Sequence, residues 1–149
     1  MNSFKFTAPI IITFIWIGFV CAISFMEAPV KFTAPHLNLQ VGVEVGRQVF
    51  KALNHVEIVF GMLSLVLLVM NSYNRTIAIM LGIAILLLLL QTLWLLPQLH
   101  HRVQIIIEGG KPQPSVLHII YIITDGLKVI ILFFLGFFQF SQFKRNLIN

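Results

Sequence analysis

The chain has 149 residues, of which 58% are hydrophobic and only 10% are Asp, Glu, Lys or Arg. Soluble domains carry about 25% charged residues, so this chain cannot cover a globular surface with polar groups. The composition argues against a water-soluble enzyme, a disordered chain and a nucleic-acid-binding protein, although the formal net charge is +5. It indicates a protein whose main partner is the lipid bilayer.

Four stretches are long enough to span a membrane, which takes about 20 mostly apolar residues. The first stretch follows Lys5, as the apolar core of a signal peptide would. It is longer than the roughly 7–15 residues of such a core, so we interpret it as a retained span. We predict one integral membrane domain over residues 1–149, with spans at about 9–26, 49–70, 77–97 and 117–140.

The four spans predict an all-α fold, a four-span antiparallel transmembrane helix bundle with both termini on the same side. We name that side A; it holds the polar turn at 71–76 and the tail from Ser141. Side B holds the two longer connections. Pro97 is predicted to end the third span, and Ser115 to cap the fourth.

The orientation is predicted from the basic residues, because a count of Lys and Arg does not separate the two sides. The bases of side A have no acidic partners, an arrangement that an anionic cytoplasmic leaflet favours. We therefore expect cytoplasmic termini, in a bacterial inner membrane or a plasma membrane. The bases concerned are Lys5, Arg75, Lys144 and Arg145.

The second span carries a stripe of polar residues along one side. At about 100° per residue, its members fall within an arc of roughly 100°, and Glu57 lies about 60° further round. Ionisable groups inside spans are costly and usually face the bundle interior or a water-filled cavity. The members of the stripe are Glu44, Arg47, Lys51, Asn54 and His55.

The fourth span repeats this pattern, with His118, Tyr121, Asp125 and Lys128 inside an arc of about 80°. Asp125 and Lys128 are three residues apart on a helix and are predicted to pair. Polar residues also favour one face of the first span (Thr13, Trp16, Ser24, Glu27) and of the third (Gln91, Trp94, Gln98, His101).

Turned inward, these stripes predict a polar pocket that opens to side B and is sealed by apolar residues toward side A. Its expected occupant is a small polar ligand or ion, with proton coupling through the carboxylates. The alternative is that the charges only fix the register of the helices. The predicted ligand-binding residues are Glu27, Arg47, Lys51, Asn54, His55, Glu57, His118, Tyr121, Asp125 and Lys128.

Two further hypotheses stay open. His55 and His118 both lie near side B, so they are candidate ligands of one haem or metal ion, as in a redox protein. No His-x-x-x-His spacing supports that site. The chain is alternatively an accessory or assembly subunit whose charges meet a membrane-protein partner or a second copy. No nucleophile motif assigns a reaction, so enzymatic activity is left open.

The segments Ala28-Pro29-Val30-Lys31-Phe32 and Val45-Gly46-Arg47-Gln48-Val49-Phe50 are similar to a pattern in the transmembrane protein 205-like family. The resemblance covers about the first 65 residues. It implies a small four-helix membrane protein and brings no defined activity. This chain departs from that pattern by adding Lys51, Asn54-His55 and Glu57 just inside the second span.

Overall fold

The computed structural model describes residues 3–71 and 73–148, and this part of the chain is helical without strands. The first helical run is α1 (Ser3–Val20), π1 (Cys21–Glu27) and α2 (Ala28–Lys31), and the second is α3 (Leu39–Met70). The third comprises α4 (Arg75–Leu90), π2 (Gln91–Leu95) and α5 (Leu96–Ile107), and the fourth is α6 (Leu117–Ile148).

Four of these runs are long and apolar enough to cross a membrane, which confirms the predicted helix count and an all-α architecture. Their bounds are Phe6–Lys31, Leu39–Met70, Arg75–Ile107 and Leu117–Asn146. The exposed side chains along them are largely Leu, Ile, Val, Met and Phe, as contact with lipid requires.

One predicted helix end was wrong, the one at Pro97. The second helix begins at Leu39, before the predicted span at about 49–70, and Asn38 caps it by accepting a hydrogen bond from the Val41 N–H at 2.8 Å. The third helix continues past Pro97 to Ile107. The connection to α6 is correspondingly short. The predicted cap is present, since the Ser115 Oγ accepts from the Leu117 N–H at 3.2 Å.

The two π-helical segments explain why proline does not end the first and third helices. In each, the backbone bond reaches five residues back, from Ala28 N–H to the Ile23 carbonyl and from Leu96 N–H to the Gln91 carbonyl. Pro29 or Pro97 follows directly. A proline removes an N–H and crowds the carbonyl four residues earlier, and a π turn lets the helix continue around that defect.

The helices pack most extensively toward side A. There α6 lies against α1 and α4, and α3 lies against α1. Thr13 donates to Gln139 at 3.0 Å, and the Asn74 N–H donates to Gln142 at 3.3 Å, so the end of α6 reaches the 71–76 turn. A buried apolar core occupies this half: Trp16, Val20, Ile77, Leu81, Ala84, Leu88, Leu132 and Leu135.

Candidate functional site

Charged and polar side chains from all four helical runs meet inside the bundle, on the side-B edge of the apolar core. The Lys128 ammonium lies 2.6 Å from Glu57 Oε1 and 3.0 Å from Asp125 Oδ1. The pairing of Asp125 with Lys128 predicted from their spacing is thus present. We call this group the buried cluster; it consists of Ser24, Glu57, Gln91, Asp125 and Lys128.

Gln91 connects the two charges of α6 through its side-chain amide. Its Oε1 accepts a hydrogen bond from Lys128 at 2.5 Å, and its Nε2 donates to Asp125 Oδ1 at 2.7 Å. Ser24 donates to the other oxygen, Asp125 Oδ2, at 2.6 Å. Both oxygens of Asp125 are therefore held, one by π1 and the other by π2. The same π turns that accommodate the prolines supply these two hydrogen-bond donors.

The buried cluster contains more acid than base. The side chains of Glu57, Asp125 and Lys128 are all 0% exposed, and one ammonium faces two carboxyl groups. Glu57 Oε1 also accepts from the Trp16 indole at 2.9 Å, whereas Glu57 Oε2 is buried and has no hydrogen-bond partner among the described residues. Desolvating a charge is expensive unless it is compensated. Glu57 Oε2 is therefore the open position of the cluster.

A cavity of about 480 Å³ lies between the buried cluster and side B. All four helical runs contribute to its wall. Ser24 lines this cavity and also belongs to the buried cluster, so this residue connects the two. Much of the remaining wall is apolar: Phe25, Phe32, Val43, Phe50, Leu96, Leu99, Val103 and Ile122.

The polar part of the cavity wall contains two cationic side chains, Lys31 and Arg47, and two histidines, His100 and His118. No Asp or Glu lines the cavity within the described ranges 3–71 and 73–148. Arg47 Nη1 donates to the neutral amide oxygen of Gln104 at 2.8 Å. The side chain of Lys31 is only 11% exposed and lies 3.3 Å from Glu27.

The structure separates the ten predicted ligand-binding residues into groups. Three belong to the buried cluster (Glu57, Asp125, Lys128) and three line the cavity (Arg47, His118, Tyr121). Asn54 is buried and donates a hydrogen bond to Thr92 at 2.7 Å. Glu27 forms an ion pair with Lys31. The other two, Lys51 and His55, are exposed on the outside of α3 and are not brought to the cavity wall.

Three important residues were absent from the predicted set, namely Ser24, Gln91 and His100. Ser24 and Gln91 were recognised only as part of polar-leaning faces. The stronger signal was the proline that follows each of them, Pro29 and Pro97, because a proline inside a long apolar helix marks a local change of helical geometry. His100 lines the cavity because the third helix does not stop at Pro97.

The two histidines proposed as haem or metal ligands lie on different cavities. His118 lines the cavity described above, whereas His55 lines a shallow depression with Val56, Val59 and Phe60. Within residues 3–71 and 73–148, no group of three or more His, Cys, Asp and Glu side chains is placed to hold a metal ion. The haem or metal hypothesis stays a prediction, and this arrangement does not favour it.

Comparisons of the chain with models of protein families, with curated proteins and with solved structures find no match. The resemblance of the first 65 residues to the transmembrane protein 205-like family therefore stays a prediction.

Proposed function

We propose that this chain is a multi-pass membrane protein that binds or translocates a small polar ligand or ion through the side-B cavity, with proton exchange at the buried cluster. The observation that carries this proposal is the position of Ser24. Ser24 lines the cavity, and its hydroxyl donates to Asp125 Oδ2 at 2.6 Å. A change in the cavity is thereby connected to the charge state of the cluster by a single hydrogen bond.

The charge balance of the cluster supports the proton coupling. Lys128 offsets one carboxylate, and the second carboxyl group needs a proton or a small cation to avoid an uncompensated charge in apolar surroundings. Glu57 Oε2 is where such a proton or cation would sit. Cys21 and Tyr121 also interact electrostatically with Asp125. Carboxyl groups in such positions act as proton relays in pumps and transporters.

The proposed placement in the membrane follows from helix length. A span uses about 20 residues, so counting from Met70 toward side B reaches Lys51, and counting from Phe140 reaches Tyr121. The cavity then lies at the headgroup level of side B, and the buried cluster lies within the hydrocarbon region. As part of this proposal, both termini face the cytoplasm on side A.

The experiment uses Trp16 as a reporter, because its indole donates directly to Glu57. The chain has two tryptophans, and Trp94→Phe leaves Trp16 as the only one. Its emission is measured against pH in protein reconstituted in nanodiscs. We expect a titration that Glu57→Gln removes and that Glu108→Gln, which changes an exposed carboxylate, preserves. An unchanged titration in Glu57→Gln contradicts the proposal.

A second candidate function, that of an accessory or assembly subunit, is favoured by one observation. Lys51 and His55 are exposed on the outside of α3, and His55 lies in a depression with three apolar residues. A polar group on a lipid-facing surface is costly, and a partner helix or a second copy would satisfy it. Native mass spectrometry tests this candidate. A defined complex that His55→Leu dissociates supports it, and a monomer in both forms contradicts it.

A further inference from the structure

We infer that the side-B cavity binds an anionic head group attached to an apolar chain. This inference rests on the proposed function and names the class of its ligand. It joins three features of the cavity: basic groups on the wall, buried polar atoms without partners, and an apolar side that reaches the lipid-facing surface.

The basic groups favour an anion over a cation or a neutral molecule. Arg47 and Lys31 extend to the cavity from α3 and α2, and the cavity wall within the described ranges has no carboxylate. The hydrogen-bond partner of Arg47 is the neutral amide of Gln104, which in turn donates to Glu108 at 2.7 Å, and Arg47 forms no ion pair within the described ranges. Lys31 is paired with Glu27 at 3.3 Å, so Arg47 carries the positive charge of the wall that has no direct acidic partner. An arginine guanidinium binds carboxylate and phosphate oxygens through two parallel hydrogen bonds.

Two polar side chains of the wall are buried without a hydrogen-bond partner among the described residues. These are the Tyr121 hydroxyl and His100 Nε2. Tyr121 is 1% exposed, so bulk solvent does not satisfy its hydroxyl. A hydroxyl donates to carboxylate and phosphate oxygens, and so does the N–H of an imidazole. Both side chains belong to residues of the cavity wall, so an anionic head group would become their acceptor once the side chains turn toward it.

The apolar side of the cavity indicates that the anion carries a hydrocarbon chain. Phe25, Phe32 and Ile122 line the cavity and are also 41%, 50% and 39% exposed. The wall thus continues onto the outer, lipid-facing surface at the side-B boundary. A chain leaving the cavity along these residues would enter the hydrocarbon region directly, so its burial would add to the affinity.

The test measures dodecanoate binding to the whole protein in uncharged detergent micelles. The carbon-13 signal of carboxyl-labelled dodecanoate reports the bound head group, and dodecanol is the competitor that has the same chain without the charge. A second arm measures retention of phosphatidylglycerol by native mass spectrometry. The two arms separate a free amphipathic anion from a membrane lipid as the source of the head group.

Four variants separate the effect of charge from that of the fold. Arg47→Gln and Lys31→Gln each remove one basic group, and Lys111→Gln removes a base from the exposed α5–α6 connection as the matched control. Gly46→Ala retains every charge, but its Cβ would lie 2.6 Å from Lys31 Nζ and so displaces the ammonium from its place. The displaced group is the end of a flexible side chain, so the fold is retained.

We expect Arg47→Gln and Lys31→Gln each to raise the Kd for the bound anion about tenfold or more, the effect of losing a hydrogen bond to a charged group. Gly46→Ala should raise it less, and Lys111→Gln should leave it unchanged. Binding of either dodecanoate or phosphatidylglycerol with this pattern supports the inference. Binding of neither, equal competition by dodecanol, or an unchanged Kd in both charge variants overturns it.

The failure of this inference is distinguishable from the failure of the proposed function. If the Trp16 emission titrates through Glu57 and no amphipathic anion binds, only the ligand class is wrong. If an anion binds but the Trp16 emission does not respond to Glu57, the proton coupling is wrong and the cavity is a binding site alone.

Discussion

Ser24, which lines the side-B cavity, donates a hydrogen bond to Asp125 Oδ2, with 2.6 Å between the two oxygens. This contact connects the first and fourth helices at the level where π1 replaces the α-helical pattern. It also joins a cavity with a basic wall to a buried cluster with an excess of acid. The proposed function requires this Ser24–Asp125 contact, because it connects the cavity to the buried cluster.

Removing the Ser24 hydroxyl should destabilise the protein. Ser24→Ala leaves the buried Asp125 Oδ2 without its donor, and we expect the free energy of unfolding to fall by roughly 1–3 kcal/mol. Ser64→Ala is the matched control, because the Ser64 hydroxyl is also buried but has no hydrogen-bond partner among the described residues. Its removal should be neutral or stabilising. Equilibrium unfolding in mixed micelles gives both values, and equal losses would refute the role of the hydrogen bond.

Removing the Lys128 ammonium should cost more, because it leaves two carboxyl groups buried without a positive charge. We expect Lys128→Met to lower the free energy of unfolding by roughly 3–5 kcal/mol. The triple variant Glu57→Gln, Asp125→Asn, Lys128→Met should recover much of that loss, since no unpaired charge remains. Lys111→Met in the exposed connection serves as the control. If Lys128→Met unfolds like the parent, the ion pairs do not stabilise the bundle.

Alkaline pH should destabilise the side-A end of the bundle through Tyr73, which lies in the turn between α3 and α4. Burial raises the pKa of Tyr73 from the ordinary value of 10.0 to about 12. Folding favours the neutral phenol, so its contribution to stability is complete below pH 10 and is lost as the pH rises through about 12. Tyr73→Phe cannot ionise there. The stability of the parent should therefore fall more than that of Tyr73→Phe over this range, and parallel curves would contradict the assignment.

The number of helices was predictable because apolar length is a local property of the sequence. Helical periodicity predicted that Glu57, Asp125 and Lys128 face inward, but not every polar face was right: in the third helix Gln91 is buried, whereas Trp94, Gln98 and His101 are exposed. Lys51 shares the polar stripe of α3 yet is exposed, because the buried face of α3 is centred near Glu57 and includes only the Asn54 edge of that stripe.

The roles of Ser24 and Gln91 could not be derived by counting 100° per residue. Each lies in a π segment, where the helix turns less per residue and the side chains shift out of the α-helical register. The prolines that follow indicate where the helical geometry changes, but not whether the helix continues or ends there. At Pro97 the helix was wrongly predicted to end. In the structure each of the two prolines follows a π turn, and both helices continue.

The central claim is that the buried cluster exchanges protons with side B through the cavity and is closed toward side A by the apolar core. The most direct test follows Trp16 emission in the Trp94→Phe protein, in sealed vesicles sorted by orientation, after a rapid change of the external pH. The emission should respond at once when side B faces outward, and only after an ionophore is added when side A faces outward. An equal, immediate response in both orientations, or one that persists in Glu57→Gln, would contradict the account.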